Sequence, residues 1–420
     1  MTRREASFAR RLAIVVVAAL AVRVTYVLVI YPDLLARGLG GGDWSYYHGL
    51  ANLIAAGHGV IDPGVWSAQH RSVPTADHAP LWPLLLSALS AAGADGVLAH
   101  RLVGCVLGTM AVALAGLAGR RAGGERVGLL AAAIAAGYPI LIAADGSLMS
   151  ESLSAVLVLA ALLAAFRLRD CGRTRWAVAL GGAIGLAALA RSETLLLVPL
   201  LAGPVALAGS GPLRRRAGLL ALVCLATLAT IAPWTARNLI TFDRPILIAS
   251  SDASVVGGAN CHPAYYGRST GGWRPDCLSP PPTGANNVEE APRWRREGLT
   301  YASEHAGRVP VVMLRRVMLT WDLWLPRAQA MIATERSLAV QEAGLVVFYC
   351  LLALAIVGAL VLRPWRAELW ILLVPPVLGS VVSAIGYGTD RFRHPAEFTL
   401  AILAAVALER LWRRRRRLTP

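Results

Sequence analysis

RLAIVVVAALAVRVTYVLVIY (residues 11–31) and, after a short linker, GGGDWSYYHGLANLIAAGHG (40–59) together decide the fold. The first stretch is apolar enough, and long enough, to cross a hydrocarbon layer of about 30 Å as one helix. The second sets Asp43 at the edge of that layer, where crowding or burying a charge is costly and usually has a reason. Trp44, Tyr46 and Tyr47 beside it are side chains that settle at the lipid–water boundary. Gly57 and Gly59 close the segment, so a short helix bracketed by glycines is expected, with Tyr46 or Tyr47, Leu50, Leu53 and Ile54 along one face. An acid at the mouth of an interfacial helix points to chemistry on something that arrives through the lipid.

Working outward, the chain has 420 residues, 56% of them hydrophobic, and a mean hydropathy of +0.55. Apolar runs recur near 11–31, 98–119, 125–144, 152–166, 176–190, 194–209, 217–233, 343–362, 367–386 and 396–411. Several are rich in Ala and Gly, which allow helices to approach closely. The expected fold is an all-α polytopic membrane protein of about ten transmembrane helices. The first run follows MTRREASFARR, but it offers no clear small-residue cleavage site and is too long for a signal-peptide core, so a retained helix is expected.

The formal net charge is +16. All 41 cationic residues are arginines, because the chain contains no lysine. They cluster in short loops: Arg120, Arg121 and Arg126; Arg167, Arg169, Arg173 and Arg175; Arg214 to Arg216; Arg363 and Arg366; Arg413 to Arg417. That is the pattern of the positive-inside rule, and no soluble basic domain exists to carry nucleic-acid binding. With the N-terminus in the cytoplasm, ten spans leave every one of these clusters inside. PLWPLLLSALSAA (80–92) would invert the count if it crossed; it is short, so a re-entrant or surface-lying helix is expected.

The same count gathers the polar segments on the outer face: the first outer loop (32–79), DGSLMSE (145–151), the turn RSE (191–193), the segment from about 236 to 342, and TDRFRHP (389–395). Three parts follow: an N-terminal transmembrane module (1–235), an extracytoplasmic cap (236–342), and C-terminal spans with a basic tail (343–420). Within the cap, PILIASSDASVVGG (245–258) suggests a short strand and a Gly-rich turn. SPPPTG (279–284) signals a loop, and a helix is expected around 289–305. Cys261 and Cys277 lie in this outer segment and are open to two readings, a disulfide or two free thiols. No CxxC or His-rich spacing supports a structural zinc site.

Each candidate site residue has a plain reading beside a functional one. Asp43 suits the N-cap of the helix starting at Trp44, and a capping acid can also be catalytic. Asp145 and Glu151 flank a short loop, where a solvated turn with Glu151 opening the next helix is the plain account. Arg191 and Glu193 are spaced for a local ion pair. Arg237, after PW at a span end, can simply reach toward lipid headgroups. Arg391, Arg393 and His394 lie on the outer side, against the charge trend, and such cations need an anionic partner. Arginines suit a lipid-linked phosphate through bidentate hydrogen bonds. A carboxylate suits removal of a proton from an incoming hydroxyl.

DWSYYHGLANLIAAGHG, HAPLWPLLLSAL (78–89) and RLVGCVLGTMAV (101–112) resemble the N-terminal module of GT-C glycosyltransferases. The protein O-mannosyltransferase and aminoarabinose-transferase branch is the part most resembled. YPILIAADGSLMSE (138–151), GLAALARSE (185–193), PWTARN (233–238) and RFRHP (391–395) are similar to segments of that branch in kind and order. The resemblance covers residues 10 to 260 well and the C-terminal part more weakly. It implies a GT-C-like bundle with surface-lying helices in the first outer loop. It further implies Asp43 as catalytic base and a second acidic position at Glu151, with Asp145 the weaker match. Tyr46, Tyr47, Asp145, Arg191, Glu193, Arg237, Arg391, Arg393 and His394 are then candidates for binding substrate.

The implied donor is a polyprenyl-phosphate sugar, used on the extracytoplasmic side of the cytoplasmic membrane, with a lipid or glycan acceptor and no nucleic acid. Some relatives use a divalent metal and others do not. The first-loop motif here has a single Asp rather than an Asp-Glu pair, so no metal is expected. Protein glycosylation is not expected either, without a large C-terminal soluble domain. The competing classes are a transporter or flippase of lipid-linked sugars, which would carry polar residues at mid-membrane in broken helices, and an inactive homologue serving as an assembly partner.

Overall fold

A computed structural model describes residues 3–36, 42–242, 244–279, 287–327, 336–363 and 366–418. The first membrane-length helix, α1 (Arg3–Ala36), is followed by three short ones, α2 (Asp43–Ala55), α3 (Pro63–Gln69) and α4 (Leu81–Ala91). Next come α5 (Val97–Gly123), the pair α6 (Glu125–Gly137) and α7 (Pro139–Gly146), α8 (Glu151–Cys171) and α9 (Thr174–Ala190). Short helical turns over Ser192–Ala202 lead into α10 (Gly203–Leu207) and then α11 (Leu213–Thr241). The segment beyond holds α12 (Ser251–Ala259), α13 (His262–Tyr265), α14 (Asn287–Glu304) and α15 (Val309–Thr320). The chain ends in α16 (Leu338–Leu362), α17 (Arg366–Ile385) and α18 (His394–Leu418). Among the described residues the only β pairing is an isolated antiparallel bridge between Ile61 and Pro74.

Each of the ten apolar runs falls on a helix or on consecutive helices. Among the described residues, six helices are long and apolar enough to cross a membrane, or seven if α6 and α7, bent by 60° at Tyr138, form one broken span. The expected count of about ten therefore goes beyond what helix length establishes. α9 and the Ser192–Leu207 run are shorter apolar elements. α4 is shorter still, and at ~1.5 Å per residue it cannot cross. It packs on α2 instead, burying Trp82 and Leu86.

The arginine clusters meet at one end of the bundle. Arg121 pairs with Asp170, Arg169 with Glu368, Arg126 with Glu409, and Arg215 donates to the Gly172 carbonyl. Inside the bundle, α5 packs on α6 and α8, and α9 on α11. Gly104 and Gly108 on α5 let α7 come close: a Cβ on Gly108 would sit 2.0 Å from the Asp145 carboxyl carbon, the close approach that small residues spaced by four permit.

The cap is mainly helical, and the stretch expected to hold a strand forms none: 245–250 is irregular and Ser251–Ala259 is helix. Ser250 and Ser251 donate their backbone N–H groups to the Ala76 and Asp77 carbonyls of the first loop, and α12 begins there with no strand alongside. α14 spans Asn287–Glu304, close to the helix expected at 289–305. Cys261 and Cys277 form a disulfide. The SPPPTG loop signal, apart from Ser279, lies outside the described residues, and the boundary expected at 235 falls inside α11.

Candidate active site

Gly42, at φ 111°, turns the chain into α2 in a conformation that side-chain-bearing residues rarely adopt. Asp43 is thereby the first residue of the helix rather than its cap, and no side chain caps α2. Its carboxylate is turned elsewhere. Oδ2 accepts from Arg391 NH1 at 2.9 Å, and Oδ1 lies 3.6 Å from His78 Nε2. About a third of the side chain (35%) stays open to solvent. Burial acts to raise its pKa, but the Arg391 guanidinium and His78 outweigh that and hold the carboxyl well below the usual range. Asp43 is therefore ionised at neutral pH.

Arg391 joins this acid to a second one. Its Nε donates to Glu151 Oε1 at 2.5 Å, so one guanidinium spans carboxylates from α2 and from the start of α8. Arg191, at the end of α9, reaches the same Glu151 oxygen at 3.2 Å and Glu193 at 2.6 Å. The local ion pair expected of Arg191 and Glu193 is thus present, but it extends into a chain of charges running Asp43–Arg391–Glu151–Arg191–Glu193. Glu151 is 1% exposed, and its Oε2 has no hydrogen-bond partner.

His78, the first residue of HAPLWP, belongs to the site although the sequence does not mark it as a candidate. It lies between two acids, with Nδ1 3.2 Å from Asp77 Oδ2, and Asp77 also accepts from Asn287. The Tyr46 ring lies over it at 4.6 Å and the Tyr47 ring meets it edge-on at 5.2 Å. Burial disfavours its charged form, but Tyr47, Asp77 and Asp43 prevail and raise its pKa well above the ordinary value. The signal available in advance was a lone His beside an Asp, which carries no diagnostic spacing.

Four expected substrate-binding residues do not join this cluster. Asp145 is fully buried and paired with Arg23 at 2.8 Å, while Ser152 donates to its other oxygen. Arg23, on a lipid-crossing helix, needs an anion and takes this one. It also donates to the Ala135 and Ala136 carbonyls left free where α6 breaks. Arg393 turns into the bundle, to Glu397 at 2.5 Å and Asp322 at 2.6 Å, with its guanidinium over the Phe348 ring. His394 is buried 3.9 Å from Asp145. Arg237 donates to the Thr75 and Val60 carbonyls and lies over Trp234, so it staples the first loop rather than facing the acids. It acts at one remove: Thr75 Oγ1 is 3.0 Å from the Tyr46 hydroxyl.

A divalent cation wants several oxygen ligands on one point. Among the described residues no three His, Cys, Asp or Glu side chains are grouped to hold one. Asp43 and Glu151 share the Arg391 guanidinium, so as arranged this donor set does not fit a divalent metal.

Residues 77–236 match the sequence model of the dolichyl-phosphate-mannose-protein mannosyltransferase family. No curated protein matches the chain. The fold is similar to the oligosaccharyltransferase AglB from Archaeoglobus fulgidus, solved with an inhibitory peptide and a dolichol-phosphate. The TM-score is 0.58 at 14% identity, over 99% of this chain and 51% of that one. A second structure of the Archaeoglobus fulgidus oligosaccharyltransferase, with Zn and sulfate, gives 0.55 at 16% identity, over 95% and 49%. ArnT from Cupriavidus metallidurans bound to undecaprenyl phosphate gives 0.44 at 16% identity, over 95% and 77%. The chain spans about half the length of the oligosaccharyltransferases.

Proposed function

We propose that this chain is a membrane glycosyltransferase of the GT-C class, which moves a sugar from a polyprenyl-phosphate donor to a hydroxyl on a cell-envelope acceptor, at the extracytoplasmic side of the cytoplasmic membrane. The observation that carries the reading is Asp43: ionised, partly open, and fixed by a guanidinium at the end of the bundle away from the arginine clusters. The dolichol-phosphate in the AglB structure is a polyprenyl phosphate of the kind invoked here.

In this scheme the acceptor oxygen attacks the anomeric carbon from the face opposite the phosphate. The carbon–oxygen bond to phosphate breaks, its electron pair leaves on the polyprenyl phosphate, and the configuration inverts. The hydroxyl proton passes to Asp43. A carboxylate held so far below its usual range is a weak base, so it takes the proton late, once the new bond has made the hydroxyl acidic. Arg391 and Arg191 supply positive potential for the phosphate, while Glu151 and Glu193 fix where those charges sit. Tyr46 and Tyr47 close the apolar side of His78.

One observation favours the transporter reading: α6 and α7 form a broken helix beside a buried ion pair. That pair closes on itself, because Arg23 is committed to Asp145 and to neighbouring carbonyls. The separating experiment offers labelled polyprenyl-phosphate sugars to proteoliposomes holding the full chain, with envelope acceptors present. The proposal expects cleavage of the sugar–phosphate bond and label in the acceptor. Label crossing the bilayer still attached to its lipid would replace it with the transport reading.

A further inference from the structure

The shared guanidinium has a use of its own. Asp43 comes from α2 and Glu151 from the start of α8, and a third segment, 389–393, delivers Arg391 between them. Its planar fork gives Nε to one carboxylate and NH1 to the other, the geometry for which arginine is suited. Two acids brought together from distant helices repel each other unless a cation lies between them. In a metalloenzyme a divalent ion meets that need; one oligosaccharyltransferase neighbour was solved with Zn. A metal ion here would face an obstacle, because a fixed guanidinium within hydrogen-bonding distance of both carboxylates repels a second cation.

We propose that Arg391 stands in for a divalent cation: it cross-links Asp43 to Glu151, fixes the orientation of the Asp43 carboxylate, and makes the site metal-independent. Three details support this. Glu151 Oε1 is already doubly engaged, by Arg391 and Arg191. The second cation near Asp43 is His78, also an organic one. Arg391 is itself only 24% exposed and anchored at both ends, so it is a fixed charge rather than a mobile surface arginine. The sequence neighbour Arg393 shows the contrast, because its guanidinium is taken up by Glu397 and Asp322 inside the bundle. The catalytic consequence rests on the glycosyl-transfer reading above; the cation chemistry does not.

The test is Mn²⁺ binding, read by electron paramagnetic resonance on the full chain in nanodiscs after chelator treatment. Variants are Arg391→Ala, Arg391→Lys and Arg391→Ala combined with Asp43→Asn. Wild type and Arg391→Lys, which keep a cation in place, are expected to bind no Mn²⁺ that depends on Asp43. Arg391→Ala is expected to bind it at least ~10-fold more tightly than wild type, a modest figure for removing a fixed unit charge at this range. The added Asp43→Asn change should abolish that gain. Sugar transfer, lost in Arg391→Ala, should return in part with Mn²⁺ and should be unaffected by chelator in wild type. Two results overturn the proposal: a wild-type Mn²⁺ site that Asp43→Asn removes, or no gain of Mn²⁺ by a folded Arg391→Ala. The wild-type measurement stands even if that variant does not fold. If the Mn²⁺ pattern holds while no form transfers sugar, the cation replacement survives and the transfer reading fails.

Discussion

Replacing Arg23 by methionine keeps a long apolar stem and deletes the charge that Asp145 answers. Both side chains are fully buried at 2.8 Å, so the variant strands a buried carboxylate that keeps Ser152 as a donor but has lost its guanidinium. Breaking a buried pair by removing one partner costs about 3–5 kcal/mol. The Ala135 and Ala136 carbonyls at the break of α6 lose their donor as well, adding about 1–3 kcal/mol. Asp145→Asn in the same chain removes the stranded charge and leaves only the carbonyl part. The double variant should therefore be more stable than Arg23→Met alone, with a coupling of at least ~2 kcal/mol between the sites. Reversible unfolding in mixed detergent micelles, with helicity as the readout, measures all four corners of the cycle. A single-variant cost under ~1 kcal/mol would refute the reasoning, as would a double variant no more stable than the single one.

Other consequences concern the site and the cap. His78 carries a raised pKa, so it loses its proton only as pH climbs past that elevated value; its stabilising contribution is full below ~6.5 and is lost as pH rises through the elevated folded-state value. Transfer should fall on this alkaline limb, and His78→Gln should abolish the limb. Removing that cation also lets the Asp43 pKa rise, so the acid limb should move to higher pH; unchanged limbs in a pH–rate series would exclude His78 from the cluster. Asp43 contributes stability above its ordinary pKa near 4 that is lost as pH falls toward its depressed value. Cys261 and Cys277 are separated by 16 residues, and Cys277→Ser should lower the unfolding free energy of the oxidised protein by ~3 kcal/mol. No difference from wild type under oxidising conditions would argue against the bond.

The helices were legible because lipid imposes a length and an apolar character that can be read from the chain. The strand expected after Pro245 failed because the stretch bonds to other elements: the Leu247 and Ile248 carbonyls accept from Thr235 and Trp234 of α11, and Ser250 and Ser251 donate to first-loop carbonyls, which no local pattern reveals. In the site, Asp43 was visible as an acid in the wrong place. Its partner Arg391 is 348 residues away, and nothing local told Arg391 from Arg393. The short helical turn over Asp390–Arg393 separates them, sending one guanidinium to Asp43 and the other into the core. Arg23 was overlooked because a single cation in an apolar run reads as an interruption. Its meaning appears only when the break between α6 and α7 brings Asp145 beside it. The cysteine pair was open to two readings, and the fold brings the two thiols into one bond.

The central claim is that Asp43 receives the acceptor proton. It is tested most directly by transfer of labelled sugar from a polyprenyl-phosphate donor in membranes carrying wild type or Asp43→Asn at matched protein levels. The substitution preserves shape and removes the base. The account predicts a loss of at least ~10²-fold in the variant, the usual worth of a positioned general base. Equal transfer by the two proteins would contradict it.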